Sequence, residues 1–95
     1  MPEVTELREN YPNPFNPTTM ISFSIPQTSQ FVKLAIYNLK GQKVTTLVGE
    51  VISAGRRSVA WDGKDENGNR VSQGIYFYKM DTSNYSQTKK MILMK

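Results

Sequence analysis

The 95-residue chain contains no cysteine and no histidine. Without cysteine there is neither a disulfide framework nor a thiolate metal site to stiffen a small fold. Without histidine the chain lacks the commonest general base, the commonest imidazole metal ligand and the middle member of any Ser–His or Cys–His nucleophile. These absences argue against an enzyme, and no cofactor is expected. Long apolar runs are also missing. The longest is Met91-Ile92-Leu93-Met94, far short of the roughly 18 residues a membrane-spanning helix needs, so no direct membrane insertion is expected. Charge of one sign is scarce: Lys and Arg total 12 against 8 Asp and Glu, for a net +4. Only Arg56-Arg57 and Lys89-Lys90 concentrate it, where a nucleic-acid binder carries a denser stripe. No nucleic-acid partner is expected. The start, Met1-Pro2-Glu3-Val4-Thr5-Glu6, has neither the charged nor the apolar region of a secretory signal. It reads as an arbitrary beginning, which points to a domain excised from a longer exported chain.

What is present is the rhythm of an all-β domain. Hydrophobic residues make up 38% and aromatics 11%, a globular composition. Compactness scaling gives one domain with a radius of gyration of about 12 Å. Apolar and polar residues alternate in short runs broken by Gly, Asn, Asp or Pro about every 8–12 residues, as in a sandwich or barrel. Residues 1–9 are polar and expected to be a flexible linker remnant ahead of a domain at 10–95. Residues 10–19 hold Pro12, Pro14 and Pro17. Proline fixes φ and has no ladder donor, so this stretch is expected to be a loop or polyproline-like strap.

Strands are expected at Met20–Ile25, Phe31–Tyr37, Lys43–Val48, Arg57–Trp61, Arg70–Val71, Ile75–Asp81 and Thr88–Met94. The parity turns Ile21, Phe23, Val32, Leu34, Ile36, Val59, Trp61, Tyr76 and Tyr78 inward. Alternation fails near Leu47 and Val48. Asn38-Leu39-Lys40-Gly41 and Gln27-Thr28-Ser29-Gln30 read as turns, and Asn67-Gly68 carries the strongest type I′ turn signal. Seven antiparallel strands in this length fit an immunoglobulin-like β-sandwich. The buried tyrosine hydroxyls then need partners, expected to be backbone carbonyls at the sandwich end.

Candidate chemistry is thin. Asp62, Asp65, Glu66 and Asn67 offer oxygens suited to Ca²⁺. Aligning Gly68 with the glycine of a D-x-[DN]-x-[DN]-G loop places Asp65 and Asn67 correctly, but puts Gly63 where the first carboxylate belongs. No glutamate follows at the required distance. Asp65 and Asn67 are therefore weak metal candidates, and a polar hairpin tip is the simpler reading. Trp61, Tyr76 and Tyr78 form a possible sugar platform, yet their parity is that of core positions. No serine sits in a nucleophile elbow, and no glycine loop precedes a helix to cradle phosphate. In the strap, Tyr11 and Phe15 flank Pro12 and Pro14. They either plug the open end of the sandwich or form a recognition patch for another protein. The run Lys89-Lys90-Met91-Ile92-Leu93-Met94-Lys95 either completes a sheet edge, where lysines discourage aggregation, or docks a partner. Its two apolar faces, Met91/Leu93 and Ile92/Met94, are equivalent in sequence.

Three stretches together resemble one family: Asn10-Tyr11-Pro12-Asn13-Pro14-Phe15-Asn16-Pro17 with its flanks, Trp61-Asp62-Gly63 followed by Asn67-Gly68 and Gly74-Ile75-Tyr76-Phe77-Tyr78, and Lys90 to Lys95. They are similar to the type A carboxyl-terminal sorting domain of the type IX (Por) secretion system, itself related to the immunoglobulin-like domain of the flagellar hook-capping protein. Met20 stands where that pattern more often has Thr or Ile, and Gln73 where it has Pro or Ser.

The resemblance implies a non-catalytic export address. Its partners would be an outer-membrane translocon, a sortase-type peptidase and an amino-terminal cargo domain in the full-length chain. The protein would pass through the periplasm of a Gram-negative bacterium to the cell surface or medium. Lys90–Lys95 would correspond to the terminal recognition motif, and Gly74 to the turn before the final hairpin. Any cleavage would fall upstream of Asn10. Lys89, Lys90 and Lys95 would orient the last strand while Met91–Met94 divide between core and partner. Two other readings stay open: a carbohydrate-binding or adhesive accessory domain of a secreted hydrolase, with Trp61 exposed, and a structural part in hook-cap assembly.

Overall fold

A computed structural model describes residues 5–26 and 29–94. Seven strands form: β1 Glu6–Leu7, β2 Thr19–Ile25, β3 Gln30–Asn38, β4 Lys43–Ile52, β5 Gly55–Trp61, β6 Gly74–Thr82 and β7 Tyr85–Leu93. They pair antiparallel in two sheets, β1-β2-β5 and β4-β3-β6-β7. This is the immunoglobulin-like sandwich expected from the alternation. Ile21, Phe23 and Ile25 of β2 face Val32, Leu34 and Ile36 of β3 and Tyr76, Tyr78 and Met80 of β6 in one buried cluster. The period of two in each strand directs these side chains inward. The molecule measures 39 × 22 × 20 Å, and this elongation accounts for a radius of gyration of 13.0 Å against the scaling value of about 12 Å.

Several expectations are corrected. Residues 1–9 are not wholly a flexible remnant: Glu6 and Leu7 pair with Ser24 and Phe23, and Leu7 is 2% exposed. Burying one large aliphatic side chain outweighs the polarity of its neighbours. Residues 1–4 lie outside the described residues, as does the Gln27-Thr28 part of the expected first turn, while Gln30 belongs to β3. Arg70–Val71 is not a strand: Arg70 makes only an isolated bridge to Lys64. The seven strands thus include β1 in place of that piece. Asn67-Gly68 is not a two-residue type I′ hairpin. The turn runs from Asp65 to Gly68, with Gly68 N donating to Asp65 O at 3.0 Å, and Gly68 alone takes positive φ (+83°). The failed alternation in β4 has a physical origin. Its register against β3 shifts twice, leaving Val44 and Leu47 as extra residues, so two bulges displace the parity.

Candidate functional site

The strap and the last strand meet at one end of the sandwich. Phe15 N donates to Ile92 O at 2.9 Å and Met94 N donates to Phe15 O at 2.9 Å, a parallel bridge between Phe15 and Leu93. Asn13 Oδ1 accepts from Ile92 N at 3.0 Å, its side chain taking the place of a strand carbonyl. The strap therefore caps part of the free edge of β7, as edge protection requires. Its three X-Pro bonds, Tyr11-Pro12, Asn13-Pro14 and Asn16-Pro17, are cis. Beneath it, Phe15 is 1% exposed and its ring lies 5.6 Å from that of Trp61, which in turn meets Tyr76 edge-on at 5.4 Å. Such tilted contacts suit the ring quadrupoles. Trp61 Nε1 donates to Lys64 O at 2.9 Å. Gly63 closes the arrangement: at φ +76°, a Cβ there would meet Pro17 O at 3.3 Å and Leu93 Cδ2 at 3.7 Å. Only glycine combines that backbone with that approach.

The upstream end of the strap is fixed by Tyr78. Its hydroxyl donates to Arg8 O at 2.8 Å and accepts from Asn10 N at 2.9 Å. Asn10 Nδ2 donates to Thr19 Oγ1 at 3.1 Å and to Pro12 O at 3.2 Å. Burial raises the Tyr78 phenol from its ordinary 10.0 to about 12. The Asn10 amide opposes that rise, and the Glu9 carboxylate adds to it. Tyr76 donates to Ser72 O at 2.6 Å. Both buried hydroxyls thus bond to backbone carbonyls, as expected.

The sequence-nominated residues separate clearly. Phe15 is the plug, whereas Tyr11, read as its equivalent, is 80% exposed. Pro12, Pro14 and Pro17 are exposed on the outside of the strap. Met91 and Leu93 of β7 enter the core while Ile92 (36%) and Met94 (51%), the residue after the strand, are exposed. The Lys89 ammonium lies 3.5 Å from the Glu9 carboxylate, Lys90 is exposed, and Lys95 lies outside the described residues. The sugar platform is overturned: Trp61, Tyr76 and Tyr78 are 1%, 6% and 0% exposed, so none presents a ring face to solvent. Asp65 and Asn67 form a turn. Asp65 Oδ1 accepts from Asn67 N at 2.9 Å and Asn69 N at 3.0 Å. Among the described residues no three His, Cys, Asp or Glu side chains gather in metal-binding geometry. Asn10, Asn13 and Gly63 were not nominated. Their signal was the strap and Trp-Asp-Gly motifs themselves, whose long-range partners no local pattern names.

A sequence model of the FlgD Ig-like domain matches residues 10–86. No curated protein matches the chain by sequence. Among solved structures, FlgD from Pseudomonas aeruginosa is 32% identical with a TM-score of 0.61, over 79% of this chain and 58% of that one. Dimeric latent PorU from Porphyromonas gingivalis aligns at TM-score 0.77 and 20% identity, over 99% of this chain and 10% of PorU. PorZ, an essential bacterial surface component of the type IX secretion system of the same organism, aligns at TM-score 0.63 and 18% identity, over 96% and 11%. The chain therefore spans about a tenth of PorU and PorZ and just over half of FlgD. The two Por likenesses show a shared fold.

Proposed function

We propose that this chain, which belongs to the FlgD Ig-like domain family, is a non-catalytic sorting module that directs an attached cargo through the type IX secretion system. The observation that carries the reading is the union of strap and last strand. Phe15 and Asn13 hold Ile92 and Met94 through backbone-directed bonds, and Phe15 reaches the buried Trp61. The outward side chains of β7 are then presented in a fixed geometry only when the sandwich has folded, which suits an address read after folding. The fold shared with PorU and PorZ supports the same direction, as do the quoted strap and tail motifs. The partners in this reading are the outer-membrane translocon and a sortase-type peptidase. The route is periplasm and then cell surface or medium of a Gram-negative bacterium.

Deletion of Lys90–Lys95 from a cargo fusion is expected to leave the cargo in the periplasm of a type IX host. That deletion also removes Met91 and Leu93 from the core, so the paired variant Ile92→Ser/Met94→Ser, at exposed positions, tests recognition with the fold intact. Normal surface delivery of both fusions refutes the reading. A second reading, a structural part in flagellar hook capping, is favoured by the FlgD match. It instead expects loss of motility on gene deletion and unchanged delivery of the fusions.

A further inference from the structure

The side of the four-stranded sheet that faces away from the core carries a second apolar surface. Tyr37 pairs with Phe77 and Phe77 with Lys90, which places the three in one row on the outer face. In the next row Ile75 pairs with Ile92, and these are 37% and 36% exposed. Leu39, on the turn after β3, is 69% exposed beside them. A shallow groove of about 310 Å³ runs between Tyr37, Leu39, Gly41, Phe77, Lys79 and Thr88. Single exposed apolar residues are ordinary, but a contiguous group with a polar rim marks a contact surface.

The rim is positive. Lys33, Lys79 and Lys90 stand on the same face by parity, with Lys40 on the adjoining turn, and Asp81 is the carboxylate among them. Asp81 lies 3.9 Å from Lys79. Among the described residues no carboxylate pairs with Lys33, Lys40 or Lys90. Charge complementarity selects an acidic occupant. The floor selects a protein, because aromatic and aliphatic walls seat an apolar side chain, as at the centre of a protein interface.

We propose that this outer face is a docking surface for an acidic protein segment, which seats one large apolar side chain between Tyr37, Leu39 and Phe77 and sets carboxylates against Lys79 and Lys90. The proposal shares the outward Lys90 and Ile92 of β7 with the sorting reading, but its groove between Tyr37, Leu39 and Phe77 lies on the turn after β3 and on β3 and β6, so binding there is tested apart from delivery. The test is titration of the ¹⁵N-labelled chain with a short synthetic peptide bearing one phenylalanine flanked by glutamates. Saturable shift changes confined to Tyr37, Leu39, Phe77, Lys79, Thr88 and Lys90 are expected. Affinity should fall about tenfold when glutamine replaces the glutamates, and similarly for Lys79→Glu, because charge-assisted contacts are lost. Leu39→Ser, at a position outside the core, should weaken binding with the spectrum otherwise unchanged. Absence of saturation, equal binding of the glutamine peptide, or shifts spread over every lysine overturns the proposal. Tighter saturation of the same groove by polygalacturonate than by the peptide overturns it in favour of an anionic polysaccharide.

Discussion

The strap at residues 10–19 and the polar loop at 62–73 are both irregular and both rich in turn-forming residues, yet they are held in opposite ways. The strap is bonded to residues far along the chain: Asn10 to Tyr78, 68 positions away, and Asn13 to Ile92, 79 positions away. The side-chain bonds of the loop are local. Asp65 reaches two and four positions on, and Asp62 reaches Lys64. Its backbone accepts from the neighbouring Trp61 and Tyr76 side chains, and its distant polar ties among the described residues run from Glu66 alone, N–H to Val44 O at 3.2 Å and carboxylate to the Lys43 ammonium at 3.2 Å. A locally satisfied loop can open without disturbing the sheets, whereas a strap built into two sheets opens only with them. The strap is therefore part of the sandwich, and the loop is an attachment to it.

The sharpest way to break this contrast is Phe15→Ala. The side chain is 1% exposed and packed on Trp61, so its removal should cost about 3–5 kcal/mol, a large share of the stability of a small domain. Denaturant midpoints measure the loss. Amide exchange should accelerate at Ile92 and Met94, whose N–H groups are held by Asn13 and Phe15. A cost below about 0.5 kcal/mol, the range of surface changes, would show that the strap is as detachable as the loop.

The same contrast explains what could be read from the sequence. Local chemistry was legible: the alternation of β2, the inward Trp61, the turn at Asn38–Gly41 (Gly41 N to Asn38 O, 2.9 Å) and the need of the tyrosine hydroxyls for carbonyls. Long-range chemistry was not. Tyr11 and Phe15 are equivalent as aromatics beside prolines, and only docking against Trp61 and Leu93 makes one a plug and leaves the other 80% exposed. The two faces of Met91–Met94 are equally apolar, and pairing with β6 decides between them by setting Met91 opposite Tyr76. Leu7 was hidden because a two-residue strand is too short to show a period. Of the candidate site, the motifs stood out in the sequence, but the Asn13–Ile92 and Gly63–Pro17 contacts that make them one unit needed the fold.

An intermediate effect is expected from Tyr78→Phe. It removes the donor to Arg8 O and leaves the Asn10 N–H buried without its acceptor, a loss of about 1–3 kcal/mol at neutral pH. The variant also has a pH signature. The native phenol keeps its proton to about 12 while the unfolded one releases it near 10.0. Between these values the unfolded state binds fewer protons, so the wild-type contribution is complete below pH 10 and is lost as pH rises toward 12. Denaturant midpoints should therefore fall more steeply with alkaline pH for wild type than for Tyr78→Phe. Parallel slopes would show that the strap anchor does not bury this hydroxyl as described.

The smallest effect should come from Asp65→Ala. The carboxylate accepts from the Asn67 and Asn69 amides at 2.9 and 3.0 Å on a loop where Asn67 and Asn69 are exposed. Water replaces such bonds at little cost, so about 0.5–1.5 kcal/mol is expected. The readout that matters is where the damage stays. Amides of Asn67 and Asn69 should exchange faster while those of Ile92 and Met94 keep their protection, since among the described residues the turn is tied to the sheets through Glu66, whose N–H bonds Val44 O and whose carboxylate lies 3.2 Å from the exposed Lys43 ammonium, and neither tie reaches β7. Loss of protection at Ile92 would mean that the loop transmits its state through Gly63, which touches both Pro17 and Leu93. Loop and strap would then be one cooperative unit, and the division between them would be wrong.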